Sequence, residues 1–306
     1  MSLRILVTGI SGYVGSTLAP RLVSDGHEVR GMSRRGADAA PGIEVVRADA
    51  LSGEGLDAAL EGIDVAYYLI HSMEPSGDGS FEIRERRAAE HFVAAARAAE
   101  VRRIVYLGGL VPSEGVPSMH LSSRLGVEQV LLESMPESVA FRASIVIGAR
   151  SRSFRFMVRL VERLPVLALP AWHPNRTQPI DERDVIEILA RAATSERVAG
   201  QSLDIAGRDI VSYGELIERI RFHMLVGRPT VSFQKLSVTP IASRIASVIA
   251  SEQHELIGPL MEGLETDLLP RDARAAELLD VRVHSLDAAI ERALRQWERA
   301  EPLRAR

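Results

Sequence analysis

The stretch Thr8-Gly9-Ile10-Ser11-Gly12-Tyr13-Val14-Gly15 decides the fold, because it joins an apolar run at residues 4–7 to a helical pattern at residues 18–24. Glycines at this spacing allow a tight turn, close approach of the backbone to a pyrophosphate, and close packing of helix on strand. The first turn of the helix also offers free N–H groups and a partial positive charge to phosphates. We therefore predict a dinucleotide site, with loop contacts from Gly9, Ser11, Gly12, Tyr13, Val14 and Gly15.

Outward from this loop, apolar runs and helical patterns alternate. Strands are predicted at residues 4–7, 28–32, 43–47, 65–70, 103–107 and 139–147, and helices at 18–24, 55–60, 84–99, 125–133, 153–163, 184–194, 213–226, 241–257 and 285–298. Continuous apolar strands separated by helices are typical of a parallel sheet covered on both faces. We predict an α/β fold with a Rossmann-type doubly wound parallel sheet over residues 1–150, to which about 177–206 contribute. Residues 151–306 are predicted to form a smaller, mainly helical C-terminal substrate lobe.

Composition excludes several kinds of chemistry. Lys+Arg 37 against Asp+Glu 41 gives a formal net charge of -4, so we expect no nucleic-acid partner. Cysteine is absent, which excludes thiol nucleophiles, disulfides and Cys-ligated metals. We read no signal peptide and no apolar run of the roughly 20 residues that span a bilayer, so we expect a cytoplasmic protein. The amphipathic segment 241–250 is expected to pack on the core or on a partner chain rather than on a membrane.

The end of the second predicted strand selects between NAD and NADP. An NAD site usually has an acidic residue there, which binds the ribose 2′-hydroxyl. This chain instead has Met32-Ser33-Arg34-Arg35, with no acid before Asp38. Arginine forms bidentate bonds to phosphate oxygens. Ser33, Arg34 and Arg35 therefore favour NADPH over NADH, with a solvated basic turn as the alternative.

Two more strand ends are candidate cofactor contacts. Asp49 and Ala50 follow the third predicted strand, where the Asp49 carboxylate would accept a hydrogen bond from the adenine amino group or would cap a turn. Leu69, Ile70 and His71 end the fourth strand, where they would pass beneath the nicotinamide; Leu69 and Ile70 are alternatively core residues. We expect these residues at the carboxyl edge of the sheet, where open α/β sheets bind ligands.

Longer strings connect these features to a known group of proteins. They are Tyr67-Tyr68-Leu69-Ile70-His71-Ser72-Met73, Tyr106-Leu107-Gly108-Gly109-Leu110, Arg142-Ala143-Ser144-Ile145-Val146-Ile147-Gly148 and Thr177-Gln178-Pro179-Ile180. With TGxxGxxG in place of GxGxxG, the chain resembles the short-chain dehydrogenase/reductase superfamily, in its atypical, NmrA-like branch, often labelled nucleoside-diphosphate-sugar epimerases. The resemblance covers about residues 3–210. It implies NAD(P)H binding with Gly108 beside the cofactor and, from the superfamily's habit, a homodimer.

The residues that carry the superfamily's usual chemistry are missing. Active members use a Tyr-x-x-x-Lys pair, in which the lysine lowers the pKa of the tyrosine, and a serine that precedes it. Here the tyrosines are at 13, 67, 68, 106 and 213, the only lysine is Lys235, and the residue four before it is Val231. Gly108-Gly109 stand in place of the serine. The standard mechanism is therefore excluded.

His120 and Arg124 stand near the expected place with the same spacing, at the start of a helix. Residues i and i+4 share a helix face, so both side chains would point at the cofactor. We predict His120 as the proton donor, because imidazole titrates near neutrality, and Arg124 as a ligand of the ribose hydroxyls. The alternative is a surface histidine and a solvated arginine.

Other polar residues are candidates for the substrate side. His71 is a second acid or a turn histidine. Arg142 would bind a substrate anion, or would pair with a buried acid such as Asp184 and join the two lobes. Ser144, in the same predicted strand, is a further substrate candidate.

The proline-rich loop that follows would roof the pocket. Trp172 and Gln178 lie in it and are predicted to contact substrate, although a tryptophan in such a loop as often serves packing. His223, His254 and His284 lack the spacing of metal ligands, so we predict no metal.

These residues favour an NADPH-dependent reductase acting on a carbonyl or quinone-type small molecule. A non-catalytic NAD(P)H-binding sensor or assembly factor is the alternative, since the Tyr-x-x-x-Lys pair is absent. A sugar-nucleotide epimerase ranks third, because that reaction needs the tyrosine base and a tightly held NAD.

Overall fold

A computed structural model of the chain describes residues 2–36, 40–70, 80–112, 119–163, 167–169, 172–227, 230–232 and 266–301. Seven strands of this part form one parallel sheet: β1 Arg4–Thr8, β2 Glu28–Ser33, β3 Glu44–Arg47, β4 Val65–Tyr68, β5 Arg103–Gly109, β6 Val139–Ala143 and β11 Ser202–Ile205. Their order is β11-β6-β5-β4-β1-β2-β3. The order reverses between β1 and β4, which opens a crevice at the carboxyl ends of these strands.

Helices cover both faces of the sheet. α1 Tyr13–Ser24 and α6 Glu182–Ala192 lie on one face, and α2 Leu56–Leu60, α3 Ser80–Ala98 and α4 Met119–Ser134 lie on the other. Along β1, Ile5 and Val7 pack in the first layer and Leu6 packs in the second, as the alternation of side chains along a strand requires. The predicted Rossmann-type doubly wound sheet is confirmed.

A second hydrophobic core forms the smaller lobe. It is built from α5 Arg152–Arg163, α7 Tyr213–His223 and α9 Leu286–Ala300. The short α8 Arg274–Leu278 instead packs near β11, and its buried Ala275 belongs to the core of the large sheet. Three two-stranded pairs complete the smaller lobe: β7 Val146–Ile147 with β10 Ile180–Asp181, β9 Arg176–Thr177 with β12 Val211–Ser212, and β8 Leu167–Leu169 with β13 Thr230–Ser232. A 3-10 turn spans Glu196–Val198.

Several predicted elements have other bounds in the structure: α1 begins at Tyr13 rather than at 18, α3 begins at Ser80 rather than at 84, and β4 ends at Tyr68 rather than at 70. The strand expected at 139–147 is divided into β6 and β7, because the Ser144 N–H donates to the Ile205 carbonyl (3.1 Å) while the Ile145 carbonyl accepts from the Ile180 N–H (2.9 Å). The chain thereby leaves the large sheet and continues beside β10. The fourth helix begins at Met119 rather than at 125. The helix predicted at 241–257 lies outside the described residues.

The amino edge of the sheet is held by a buried arginine. Arg103 is the first residue of β5 and has no solvent-exposed surface. Its Nη1 donates to the carbonyls of Ala192 (2.8 Å) and Ser195 (2.7 Å), and its Nη2 lies 3.3 Å from a Glu196 carboxylate oxygen. Arg103 thus supplies positive charge where the negative end of the α6 dipole needs it.

Candidate functional site

The glycine loop turns tightly at the carboxyl end of β1. Gly9 has a φ of 61°, and its carbonyl accepts a hydrogen bond from Gly12 N–H (2.8 Å). A Cβ at Gly15 would lie 2.4 Å from the Gly9 carbonyl oxygen, so only glycine allows the helix this close to the turn. No side chain caps the start of α1 at Gly12. The first N–H groups of α1 are therefore available to a phosphate, and the residues fit a dinucleotide.

The side chains of the other loop residues face either the solvent or the rest of the protein. Ser11 is exposed and Val14 is half-buried. The Tyr13 ring points away from the loop towards Glu182, and its hydroxyl lies beside Gly148. Burial, reinforced by the Glu182 carboxylate, raises the pKa of the Tyr13 phenol far above its usual value. Tyr13 therefore reaches any cofactor through its backbone, and its side chain joins the loop to α6.

Arg150 is a site residue that the sequence analysis missed. Its Nη1 donates to the Ser16 hydroxyl in α1 (2.9 Å), and the side chain is otherwise exposed. This contact holds a positive charge beside the first turns of α1. No local pattern marks it, because the two residues are far apart in the chain; only its place just after the β6–β7 strands was a signal.

The adenosine side is built from the ends of β2 and β3. The Ser33 hydroxyl donates to the Gly36 carbonyl (3.2 Å), and Arg34 and Arg35 are exposed, without an ion pair to any described carboxylate. The Asp49 Oδ1 accepts a hydrogen bond from Leu51 N–H (2.8 Å), so Asp49 does order a turn, while a contact with adenine stays a prediction. Ala50 is buried behind it.

The nicotinamide side is defined by the ends of β4 and β5. Leu69 and Ile70 are half-buried and pack against the two sheet cores, one on each face. Gly108 lies against the Tyr106 ring, 3.1 Å from it at the position a Cβ would occupy. His71 lies outside the described residues. The predicted passage of a nicotinamide over these residues stays a prediction.

Arg124 lies at the carboxyl end of β5. A Cβ at Gly109 would lie 3.6 Å from Arg124 Nη1. The guanidinium makes no hydrogen bond and no ion pair with any described residue, and its Nε is buried without a partner. Burial lowers the pKa of Arg124, while the nearby Tyr106 and Glu85 oppose that shift. Among the described residues, the Arg124 guanidinium thus lies at the carboxyl end of β5 without an ion pair; its contact with a ribose stays a prediction.

His120 lies in the first turn of α4, one turn before Arg124. Its backbone position agrees with the predicted shared helix face. Its side chain lies outside the described part of the structure, so its predicted role in proton donation is carried forward as a proposal.

Arg142 pairs with buried acids, as one of its two predicted roles requires, but these are Glu128 and Asp204 rather than Asp184. Arg142 forms a two-point ion pair with Glu128 (2.9 and 2.6 Å) and lies 3.8 Å from Asp204, and the Glu128 hydrogen bonds raise its pKa. Asp184 instead accepts from His284, at 2.5 Å from Nδ1 and 2.8 Å from the backbone N–H. Because the Arg142 guanidinium is neutralised by carboxylates of α4 and β11, it does not offer a free charge to a substrate anion.

The remaining substrate candidates gather where the two lobes meet. Ser144 Oγ lies 3.4 Å from Thr177 Oγ1, and the Tyr213 hydroxyl bonds to the same threonine, with burial raising the Tyr213 pKa to about 12. The Trp172 ring packs edge-on against Tyr213 at 5.9 Å between centroids. Its Nε1 is buried, and no described residue accepts from it. The Gln178 amide nitrogen donates a hydrogen bond to the Gly207 carbonyl (2.5 Å).

The described residues contain neither a cluster of metal ligands nor a membrane-spanning helix. No three His, Asp or Glu side chains in that part of the chain are grouped as metal ligands. None of the helices described above is long and apolar enough to cross a membrane.

Comparison with known proteins agrees with this geometry. Residues 9–132 match a family described as NAD(P)H-binding. An uncharacterized Mycobacterium tuberculosis protein is 29% identical over 247 residues, which cover 80% of this chain and 25% of that protein. The chain thus spans about a quarter of the length of that relative.

Three further matches extend the comparison. A Mycobacterium tuberculosis 3 beta-hydroxysteroid dehydrogenase/isomerase is 34% identical over 113 residues, 34% of this chain and 30% of that protein. An Arabidopsis thaliana mitochondrial NADH dehydrogenase (ubiquinone) 1 alpha subcomplex subunit 9 is 23% identical, covering 79% of this chain and 62% of that protein. The fold of a solved Bacillus cereus UDP-N-acetylglucosamine 4-epimerase matches with a TM-score of 0.71 at 17% identity, covering 97% of this chain and 99% of that one.

The uncapped α1, the glycine turn and the crevice at the carboxyl edge define a Rossmann-type dinucleotide-binding protein. The match over residues 9–132 supports an NAD(P)H-binding domain, and the solved epimerase shares its fold; in both respects the chain is similar to atypical short-chain dehydrogenase/reductase-like NAD(P)-binding proteins. The narrower NmrA-like placement stays a prediction.

Proposed function

We propose that the protein is an NADPH-dependent reductase that delivers hydride to a carbonyl or quinone-type small molecule without a Tyr-x-x-x-Lys pair. The observation that carries this proposal is the unpaired, partly buried Arg124 at the carboxyl end of β5. A charge kept away from carboxylates in a low-dielectric site costs stability. That cost is explained if Arg124 binds the hydroxyls of the nicotinamide ribose.

Each part of NADPH has a proposed set of contacts. The first N–H groups of α1 and the Arg150 guanidinium would bind the pyrophosphate. Ser33, Arg34 and Arg35 would bind the 2′-phosphate, and Arg124 would bind the ribose. When bound, NADPH supplies the hydride.

The chain's own residues have separate tasks. His120 would hold the proton that the reduced oxygen receives, with His71 as a second acid. The paired Arg142, and Arg176, whose Nη2 lies 2.7 Å from an Asp267 carboxylate oxygen, present no free cation to a substrate. This favours an uncharged acceptor. A quinone suits the site well, because its reduced oxygens can take protons from water and need no tyrosine.

The test is titration with NADPH and NADH, followed by NADPH oxidation with a panel of quinones and ketones. We expect NADPH to bind more tightly than NADH and to be oxidised by at least one acceptor. Arg124→Met should weaken NADPH binding, whereas His120→Ala should lower turnover with binding unchanged. Failure to bind either nucleotide would overturn the proposal, and unchanged turnover in both variants would remove the two assigned roles.

A non-catalytic cofactor-binding role is the second candidate. The match to the Arabidopsis thaliana NADH dehydrogenase subunit over 79% of the chain favours it, as does the missing Tyr-x-x-x-Lys pair. Tight NADPH binding without oxidation by any acceptor would select this role over the reductase. An epimerase stays third, since the structural likeness to the Bacillus cereus epimerase at 17% identity shows the fold alone. The cytoplasmic location, the small-molecule partner and the homodimer stay predictions.

A further inference from the structure

Strand register places one more arginine beside the proposed 2′-phosphate site. In the β2–β3 pair, Ser33 lies directly opposite Arg47, and each is the last residue of its strand. The Ala48 N–H donates to the Ser33 carbonyl (3.2 Å), which continues the pairing to this point. Neighbouring strands lie about 4.8 Å apart, so the Arg47 side chain starts well within reach of ligands of Ser33.

The two side chains also share one face of the sheet. Val29 in β2 and Val45 in β3 both pack against the core on the α1 face. Side chains two or four residues apart along a strand lie on the same face, so Ser33 and Arg47 are both directed to that side. The Arg47 side chain is exposed.

Arg47 has no carboxylate to neutralise it among the described residues. The other end of the same strand pair is different: Arg30 lies 3.5 Å from the Glu44 carboxylate and donates to three backbone carbonyls. Arg34 and Arg35 follow Ser33 in the chain and Arg47 lies opposite it, and none of the three forms an ion pair with a described carboxylate. Like charges brought to one site repel each other, and a dianionic phosphate would relieve that repulsion.

We propose that Arg47 is a specificity-determining residue of this site and binds the 2′-phosphate of NADP(H) together with Arg34 and Arg35. The proposal rests on the proposed preference for NADPH. It adds a cofactor contact from β3 itself. The sequence had predicted contacts only from Asp49 and Ala50, in the loop that follows this strand.

The experiment compares Arg47→Ala with the wild-type protein for binding of NADPH, NADH and adenosine 2′,5′-bisphosphate. We expect Arg47→Ala to lose about tenfold in affinity for the two 2′-phosphorylated ligands, the size of one lost charge-assisted hydrogen bond, with NADH affinity unchanged. Arg47→Lys should recover part of the loss, because it restores the charge without the bidentate geometry. Arg97→Ala, an exposed arginine of α3, is the matched control and should change nothing.

Three outcomes are distinguishable. A wild-type preference for NADPH that Arg47→Ala diminishes supports the assignment. A wild-type preference that Arg47→Ala leaves intact overturns the role of Arg47 and leaves the proposed reductase standing. Equal wild-type affinity for NADPH and NADH overturns the NADPH preference itself, and the role of Arg47 with it.

Discussion

Two buried arginines lie near opposite ends of β5, and they differ in the hydrogen bonds and ion pairs that they form. Burial lowers the pKa of both Arg103, at the start of the strand, and Arg124, which packs against its end. Arg103 donates to the carbonyl of Ala192, the last residue of α6, and to that of Ser195 just beyond it, and it lies 3.3 Å from Glu196. Arg124 makes no ion pair or side-chain hydrogen bond in the described chain. Arg103 thus has two carbonyl acceptors and a nearby carboxylate, although its Nε and Nη2 find no hydrogen-bond acceptor among the described residues, whereas the Arg124 guanidinium has no acceptor there at all.

This contrast divides the arginines into those that the described chain neutralises and those that it does not. Arg142 belongs with Arg103, because Glu128 and Asp204 neutralise it. Arg124 and the exposed Arg34, Arg35 and Arg47 form the opposite set. A paired cation contributes to folding, whereas an unpaired one near a crevice contributes only when something binds.

The largest effect is expected at the amino edge. Arg103→Met should lower the free energy of unfolding by about 3 kcal/mol, because two buried carbonyls lose a charged donor. Urea denaturation measures the loss, and NADPH affinity of the folded variant should be unchanged. Arg102→Met, which removes an exposed neighbour on the same edge, is the control and should cost less than about 1 kcal/mol. Equal losses in the two variants would show that burial of Arg103 does not matter.

A smaller effect is expected from the glycine loop. In Gly15→Ala the new methyl group would meet the Gly9 carbonyl oxygen at 2.4 Å, so the loop must shift. Overpacking of this kind costs about 1–3 kcal/mol, which should appear mainly as a 10- to 100-fold loss of NADPH affinity, measured by fluorescence titration. Wild-type affinity would mean that the loop does not bind the cofactor.

The smallest effect is expected from a glycine that no ligand needs. Gly126 lies inside α4, and a Cβ there would meet nothing within 4 Å. Gly126→Ala should raise the free energy of unfolding by about 1 kcal/mol, the usual gain in a helix interior, and leave NADPH affinity unaltered. A loss of affinity would imply that α4 must flex during binding.

The fold was predictable because its signals are local. The glycine stretch and the alternating apolar runs are visible over short windows, and the sheet follows from them. The division of 139–147 into β6 and β7 was not predictable, because it depends on the Ile205 carbonyl and the Ile180 N–H, which reach Ser144 and Ile145 from distant parts of the chain.

The site was predictable only in part, for the same reason. The position of Arg124 followed from the His120–Arg124 spacing. The partner of Arg142 did not, because a sequence shows that a buried arginine needs an acid but not which of many acids is near. The Arg150–Ser16 contact, and the register on which the proposal for Arg47 rests, could not be predicted because both arise only from tertiary structure.

The most direct measurement sets Arg124→Met beside Arg103→Met, with urea denaturation and NADPH titration on both. The Arg124 guanidinium forms no ion pair and no hydrogen bond with a described residue. The free energy of unfolding of Arg124→Met should therefore stay within about 1 kcal/mol of the wild-type value or exceed it. Its affinity for NADPH should fall at least about tenfold. Arg103→Met should show the reverse. An Arg124→Met variant that is destabilised as much as Arg103→Met and still binds NADPH normally would contradict the assignment of the two ends of β5.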